Sequence, residues 1–376
     1  MQKIKLSSNY ICPIRGLAGF EPPEHERLGE AARISGELGL ERLSIPVLEG
    51  AMVSSARTKI AYLDGMVQAL DRMEEMGMEA WLIAPARRVM GIDWVPPYLI
   101  KGSIDTKGPR VFIDNKVRQV QPYNWWKDLS IIEKRIRIFR DIMSALSGHP
   151  AITGWIIMDR ALEWPRPEPG EVEWVYQSCL SEIRDRDEEI PIYAGLGWSE
   201  LLQPEMALSL IHRLDGIRIS GLDIKPQSLK LDQGLAVELQ LAAYLGGLSG
   251  WLFDISIEVE TGWSRFQEAD EDEILEAAEK LAEMGISGLG WSSLVDPERS
   301  LLNYPPWNLE AGLNQMGLLH PDLEPKEWVE DLIDEMKKTK VFENPYGFID
   351  IDQKEYLEDP QTHFIRLWDH FREFIN

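Results

Sequence analysis

Hydrophobic and polar positions along the 376-residue chain switch repeatedly between two periods. Residues 42–48, 79–85, 152–158, 190–196, 216–220 and 286–291 are apolar runs of strand length, and 255–259 (Ile-Ser-Ile-Glu-Val) alternates strictly, as a strand with two different faces does. An earlier run at 10–16 reads as the first strand. Between these runs, apolar residues recur three and four apart at 24–38, 60–76, 130–146, 171–186, 204–213, 235–245 and 270–284, the spacing of amphipathic helices. Gly39, Gly77 and Gly285 follow three of them, and glycine most easily takes the left-handed turn that ends a helix. Ser130, with Glu133 three residues on, reads as the cap of its helix.

Eight strands alternating with helices predict a parallel sheet with right-handed crossovers, and eight is the number that closes a (β/α)8 TIM barrel. An open doubly wound sheet is the alternative, but no G-x-G-x-x-G follows the first strand and no P-loop is found. Residues 1–340 are therefore expected to form one barrel, with 327–338 as its last helix. The stretch 89–128 is read as a long irregular insertion after the third strand, of the kind that covers active faces. Residues 341–376 form a C-terminal helical extension; Phe364, Leu367, Trp368, Phe371 and Phe374 recur at near-helical spacing, to pack on the barrel or to form a homodimer contact.

Composition narrows the partners. A formal charge of -24 opposes nucleic acid and anionic membrane surfaces, and leaves a neutral substrate acceptable. Two cysteines make no disulfide framework or metal spacing, no apolar leader opens the chain, and no long apolar run spans a bilayer, so a soluble, cytoplasmic protein is expected. Tryptophan outnumbers phenylalanine, 14 to 10. Indole rings stack well on sugar faces, although they are core material too.

In a barrel of this type, chemistry sits at the C-terminal ends of the strands. Glu49, Asp159, Glu163, Glu258 and Glu260 fall there, with Arg88 and Arg160 among them and Trp125, Trp126, Trp198, Trp263 and Trp291 as candidate sugar platforms. Glu258 and Glu260 share a parity with Asp254 and Ser256. The six histidines lie in helices, turns or the tail, so neither a zinc site nor a Ser-His-Asp triad is expected, and no metal or cofactor is called for. Paired carboxylates without a metal, set among tryptophans, fit glycosidic bond hydrolysis: one carboxyl donates a proton to the leaving oxygen while the other attacks or activates water.

Three segments carry a family resemblance. Glu260-Thr-Gly-Trp263, His149-Pro-Ala-Ile-Thr-Gly-Trp155 and Gly285-Ile-Ser-Gly-Leu-Gly-Trp291 resemble the strand-7, strand-4 and strand-8 segments of the retaining (β/α)8-barrel glycoside hydrolases, the clan with its acid/base on strand 4 and its nucleophile on strand 7. The resemblance implies Glu260 as nucleophile and Trp291 as the floor of the sugar site. The chain departs from the clan where Asn-Glu should end the fourth strand: Asp159-Arg160 stands there, and arginine cannot act as a general acid. Ser44 replaces the clan's second-strand arginine, and no His-x-Tyr follows the sixth strand. Glu163, beside Trp164, or Asp159 itself is then the acid. The expected function is a glycosidase acting on an oligosaccharide or glycoside; the alternative is a carbohydrate-binding barrel that has lost its acid/base.

Overall fold

The computed structural model describes residues 4–13, 22–86, 88–89, 92–104, 110–113, 116–157, 159, 165–196, 214–223, 254–260, 286–304, 307–308, 317–338 and 347–375. Eight strands close into a barrel. In order around it they are Lys5–Asn9, Gly288–Trp291, Asp254–Glu260, Gly216–Asp223, Ile192–Leu196, Ile152–Ile157, Glu79–Ala86 and Arg42–Leu48, which returns to the first. Every neighbouring pair is parallel. The (β/α)8 architecture expected from the alternation is the one found.

The first strand lies earlier than the apolar run suggests, at Lys5–Asn9. Its sequence Lys-Leu-Ser-Ser-Asn is mostly polar, yet Leu6, Ser8 and Asn9 are buried. The buried residues Tyr10, Ile11 and Cys12 follow the strand instead of forming it. The insertion after the third strand is not irregular. It builds a five-stranded sheet in the order Arg88–Val89, Ile92–Trp94, Arg110–Ile113, Lys116–Pro122, Ile100–Ile104. Strands of two to seven residues with Pro96 and Pro97 between them are too short for a period to register in the sequence.

Helix ends follow local chemistry. His25–Leu38 closes on Gly39 at φ 102°, where a side chain would be strained and would meet Lys337. Ala56–Glu75 starts four residues before the predicted 60 because Ser55 accepts a hydrogen bond from the Thr58 amide. Leu129–Leu146 is capped by Asp128, not Ser130: the Asp128 carboxylate accepts from the Ser130 and Ile131 amides. In Pro169–Arg184, Glu168 and Glu171 cap reciprocally. Val329–Lys338 supplies the helix expected at 327–338, and the extension forms Gln353–Glu358 and Pro360–Ile375, in which Leu367 is buried. The helices expected at 204–213, 235–245 and 270–284 lie outside the described residues. No helix among the described residues is long and apolar enough to cross a membrane.

Period 2 divides the barrel wall into two rows. Leu43, Ile45 and Val47, with their counterparts Ala80, Leu82 and Ala84, form one fully buried apolar row. The other row holds Arg42, Ser44, Trp81 and Tyr193 and fills the lumen. The Arg42 guanidinium carbon lies 4.2 Å from the centre of the Trp81 ring, and Trp81 meets Tyr193 edge-on at 4.5 Å between centroids. Trp81 fits because its register partner is Gly154, where a Cβ would lie 2.8 Å from the indole nitrogen. Aromatic rings and an arginine thus plug the barrel below the C-terminal ends of its strands.

Candidate active site

Above that plug sits a polar layer. Arg218, midway along the sixth strand, is 5% exposed and donates through Nη2 to Asn9 Oδ1 at 2.7 Å. Two strands separate the first strand from the sixth, so this bond crosses the lumen. Arg218 is in register with Gly195 on one side and Ser256 on the other. Asp159, just past the end of the fourth strand, is buried and packs into the space left by Gly195: a Cβ there would lie 2.7 Å from the Asp159 Cα and 2.9 Å from its Cβ. Arg218 thus bonds Asn9 at the end of the first strand, while Asp159 packs against Gly195 just beyond the end of the fourth.

The seventh strand runs Asp254–Glu260 and places Glu260 at its last position. Glu258 is in register with Gly290 and Glu260 with Asp223. Two residues separate Ser256 from Glu258, a rise of about 6.6 Å along a strand. Glu258 thus occupies the same row as Ser256, the register partner of Arg218, one layer higher. Arg88 opens the small inserted sheet, paired with Asp93. Glu163, Arg160, Trp198 and Trp263 lie outside the described residues.

Several sequence candidates are buried. Glu49, expected to bind substrate, is fully buried where it opens a short helix at the end of the second strand. Its Oε1 accepts hydrogen bonds from Arg135 Nε at 3.2 Å and from the Tyr98 hydroxyl. Burial first, and then the neighbouring Glu49 carboxylate, push the Tyr98 phenol well above its ordinary range, which keeps it a donor. This cluster ties the inserted sheet and the helix Leu129–Leu146 to the barrel rim. Trp125 is 1% exposed with the Arg135 guanidinium carbon 5.6 Å from its ring centre, and Trp126, at 2%, donates from Nε1 to the Pro165 carbonyl at 2.8 Å. Neither ring offers a face to a ligand. Trp291 is equally buried, stands in register with Ser8 and Val259 and tilts against Trp328 at 6.5 Å between ring centroids. That packing lies on the row opposite Gly290 and Glu258.

Arg218 escaped attention in the sequence although a signal was present. An arginine between Ile217 and Ile219 in a strand must face away from two buried isoleucines, hence into the lumen. Asp296 is buried, pairs with Lys326 Nζ at 2.9 Å and accepts from the Gly317 amide at 2.7 Å, joining the short strands Ser293–Val295 and Gly317–Leu319; burial keeps its carboxyl above the usual range despite Lys326.

Asp71, Glu74 and His149 bring potential metal-ligand atoms within 4.8 Å of one another. The hydrogen bonds argue against a metal there. His149 Nδ1 accepts from the Ala151 amide at 3.2 Å, so in the neutral ring Nε2 carries the proton, which faces Asp71 Oδ1 at 3.1 Å. The group also lies at the N-terminal end of the fourth strand, opposite the end that carries Asp159 and Glu260.

No family model matches the sequence, and no curated protein matches it. Solved structures do. A GH5_18 protein from Streptomyces cattleya in complex with GlcNAc superposes with a TM-score of 0.65 at 12% identity, over 90% of this chain and 82% of that one. A GH5_18 protein from Bifidobacterium longum subsp. infantis gives 0.66 at 14%, over 91% and 81%. An exo-beta-1,4-mannosidase from Opitutaceae bacterium strain TAV5 gives 0.67 at 16%, over 89% of this chain and 59% of that one. With identities this low the likeness is one of fold: the chain has the (β/α)8 barrel of these glycoside hydrolases.

Proposed function

We propose that this barrel is a retaining glycoside hydrolase acting on a β-linked oligosaccharide or glycoside, with Glu260 as nucleophile and Glu163 or Asp159 as acid. The observation that carries the reading is the position of Glu260 as the final residue of the seventh strand, with buried Asp159 just beyond the fourth strand of the same barrel. Retention needs two carboxyl groups about 5–5.5 Å apart, one ionised to attack the anomeric carbon and one protonated to release the leaving oxygen. The β-linked substrate class follows the fold neighbours, among them an exo-beta-1,4-mannosidase and a beta-galactosidase. A neutral sugar also suits the charge of -24 better than a polyanion does. No metal or cofactor enters the mechanism.

A second reading, a carbohydrate-binding barrel without turnover, is favoured by Arg160 standing where the resemblance calls for a glutamate. A panel of activated aryl β-glycosides, including the mannoside and galactoside, separates the two. Turnover by the wild type and its collapse in Glu260→Gln are expected; an inert wild type that still binds sugar refutes the hydrolase. Labelling with a 2-fluoro sugar, followed by peptide mapping, should mark Glu260, and a label on Glu258 would move the nucleophile two residues down the strand.

A further inference from the structure

Resting on the hydrolase reading, we infer that Asp223 is a further residue of the sugar site, set beside Glu260 by a bulge in the sixth strand, where it accepts a hydrogen bond from a hydroxyl of the reacting sugar. Parity along the sixth strand would place Asp223 elsewhere. Ile217 and Ile219 are fully buried, and Arg218 between them reaches Asn9 across the lumen, so the two isoleucines belong to the outer apolar row and Arg218 to the lumen row. Asp223, four residues beyond Ile219, falls on the outer row by that count.

Pairing with the seventh strand changes the outcome. Ile219 stands opposite Ile257 and Leu222 opposite Val259, so Ser220 and Gly221 share the single partner position of Glu258, and Asp223 comes opposite Glu260. One extra residue exchanges the two rows beyond it. Glu260 shares the row of Ser256, the register partner of Arg218, so Asp223 and Glu260 both end on the lumen row. Bulges are rare in parallel pairs and over-represented beside active sites, where they re-aim a residue. The other charged positions on this row of the two strands are Arg218, Asp254 and Glu258, and the eighth strand sets Gly288 and Gly290 against it. Neighbouring strands are about 4.8 Å apart, close to the width of one sugar ring. With Glu260 addressing the anomeric carbon, an acceptor one strand away is within reach of a hydroxyl on the same ring.

The placement is tested first without reference to turnover. In the full chain, Asp223→Cys combined with Glu260→Cys should be joined by a short bis-methanethiosulfonate reagent, read by peptide mapping. Leu222→Cys combined with Glu260→Cys, on opposite faces of the sheet, should not be joined. Cys12 and Cys179 are buried and set the background. Failure of the first pair, or cross-linking of the second, overturns the placement.

The contact is tested on an aryl glycoside that the wild type hydrolyses. Losing a hydrogen bond to a charged acceptor should lower kcat/KM in Asp223→Ala by about 10–100-fold. Among deoxy analogues of that substrate, one should lose the same factor with the wild type and nothing further with Asp223→Ala; undiminished losses on every analogue in the variant overturn the contact. A carboxylate one strand away also opposes ionisation of Glu260, so Asp223→Asn should move the acidic limb of the pH profile to lower pH, and an unmoved limb overturns the pairing. Should the wild type hydrolyse nothing, the hydrolase reading fails while cross-linking still decides the placement. Calorimetry with mannose and galactose then decides the contact, which unweakened binding by Asp223→Ala, or no binding by the wild type, overturns.

Discussion

Replacing Arg135 by methionine is the sharpest test of how the inserted sheet is held to the barrel. Glu49 is fully buried and Arg135 is 8% exposed. One Glu49 oxygen accepts from Arg135 and Tyr98, and the other has no hydrogen-bond partner among the described residues. Burial works against the charge on Arg135, but Glu49 and Tyr98 more than offset it and keep its affinity for the proton above normal. Methionine matches the length of the aliphatic stem and removes the charge, leaving the buried Glu49 carboxyl without its guanidinium partner. Breaking a buried pair from one side typically costs about 3–5 kcal/mol. With an unfolding entropy near 2.1 cal/mol/K per residue, this chain should lose about 4–6 °C in Tm. The assay is calorimetric unfolding of Arg135→Met, Glu49→Met and the double variant. The double variant should be more stable than Arg135→Met alone, since two apolar side chains replace a stranded charge. A loss below about 1 kcal/mol for Arg135→Met would place the pair in the class of weak surface bridges and refute the argument. So would a double variant that is worse than either single one.

Three further outcomes follow from local geometry. Gly154→Ala should destabilise by about 1–3 kcal/mol, because the added methyl meets the Trp81 indole in a filled lumen; unchanged denaturant midpoints would show that Trp81 can step aside. Asp128→Ala should lower Tm at neutral pH while Asp128→Asn retains most of it. Hydrogen bonds from the Ser130 side chain and the Ile131 amide hold the Asp128 carboxyl below its ordinary range, so its contribution is present above the usual aspartate value and lost as pH falls through the depressed one. Wild type and Asp128→Ala should therefore converge in strong acid, and a constant difference across the pH range would contradict the cap. Burial pushes the Cys179 thiol up to about 12, so alkylation at pH 8 should leave Cys179 unmodified in the native protein and label it in denaturant; rapid native labelling would mean that the packing around it opens.

Much of the barrel was legible in the sequence because its determinants are local. The runs at 42–48 and 79–85 are buried strands because they are short, largely apolar and flanked by amphipathic helices, and Gly39 stops a helix by its own backbone freedom. The first strand was misplaced because four of its five residues are polar, so no apolar run marks it. The inserted sheet was taken for a loop because strands as short as Arg88–Val89 and Ile92–Trp94 hold no full period, and their pairing is decided by hydrogen bonds between segments distant in sequence.

The carboxylates show where local reading stops. That Glu49, Asp159 and Glu260 all lie at or just past the C-terminal ends of barrel strands could be read from the chain, since strand direction fixes which end of the barrel a residue serves. Which of them meets a cation could not. Glu49 is claimed by Arg135, 86 residues away in the chain, and Arg218 reaches Asn9 across 209 residues. Sequence by itself determined the alternation of elements and the ring they close, because hydrophobic burial acts on patterns within one segment. Only the tertiary structure decided which charges are neutralised and which tryptophans are covered, because Coulomb and packing energies depend on distance in space, which closure of the barrel sets.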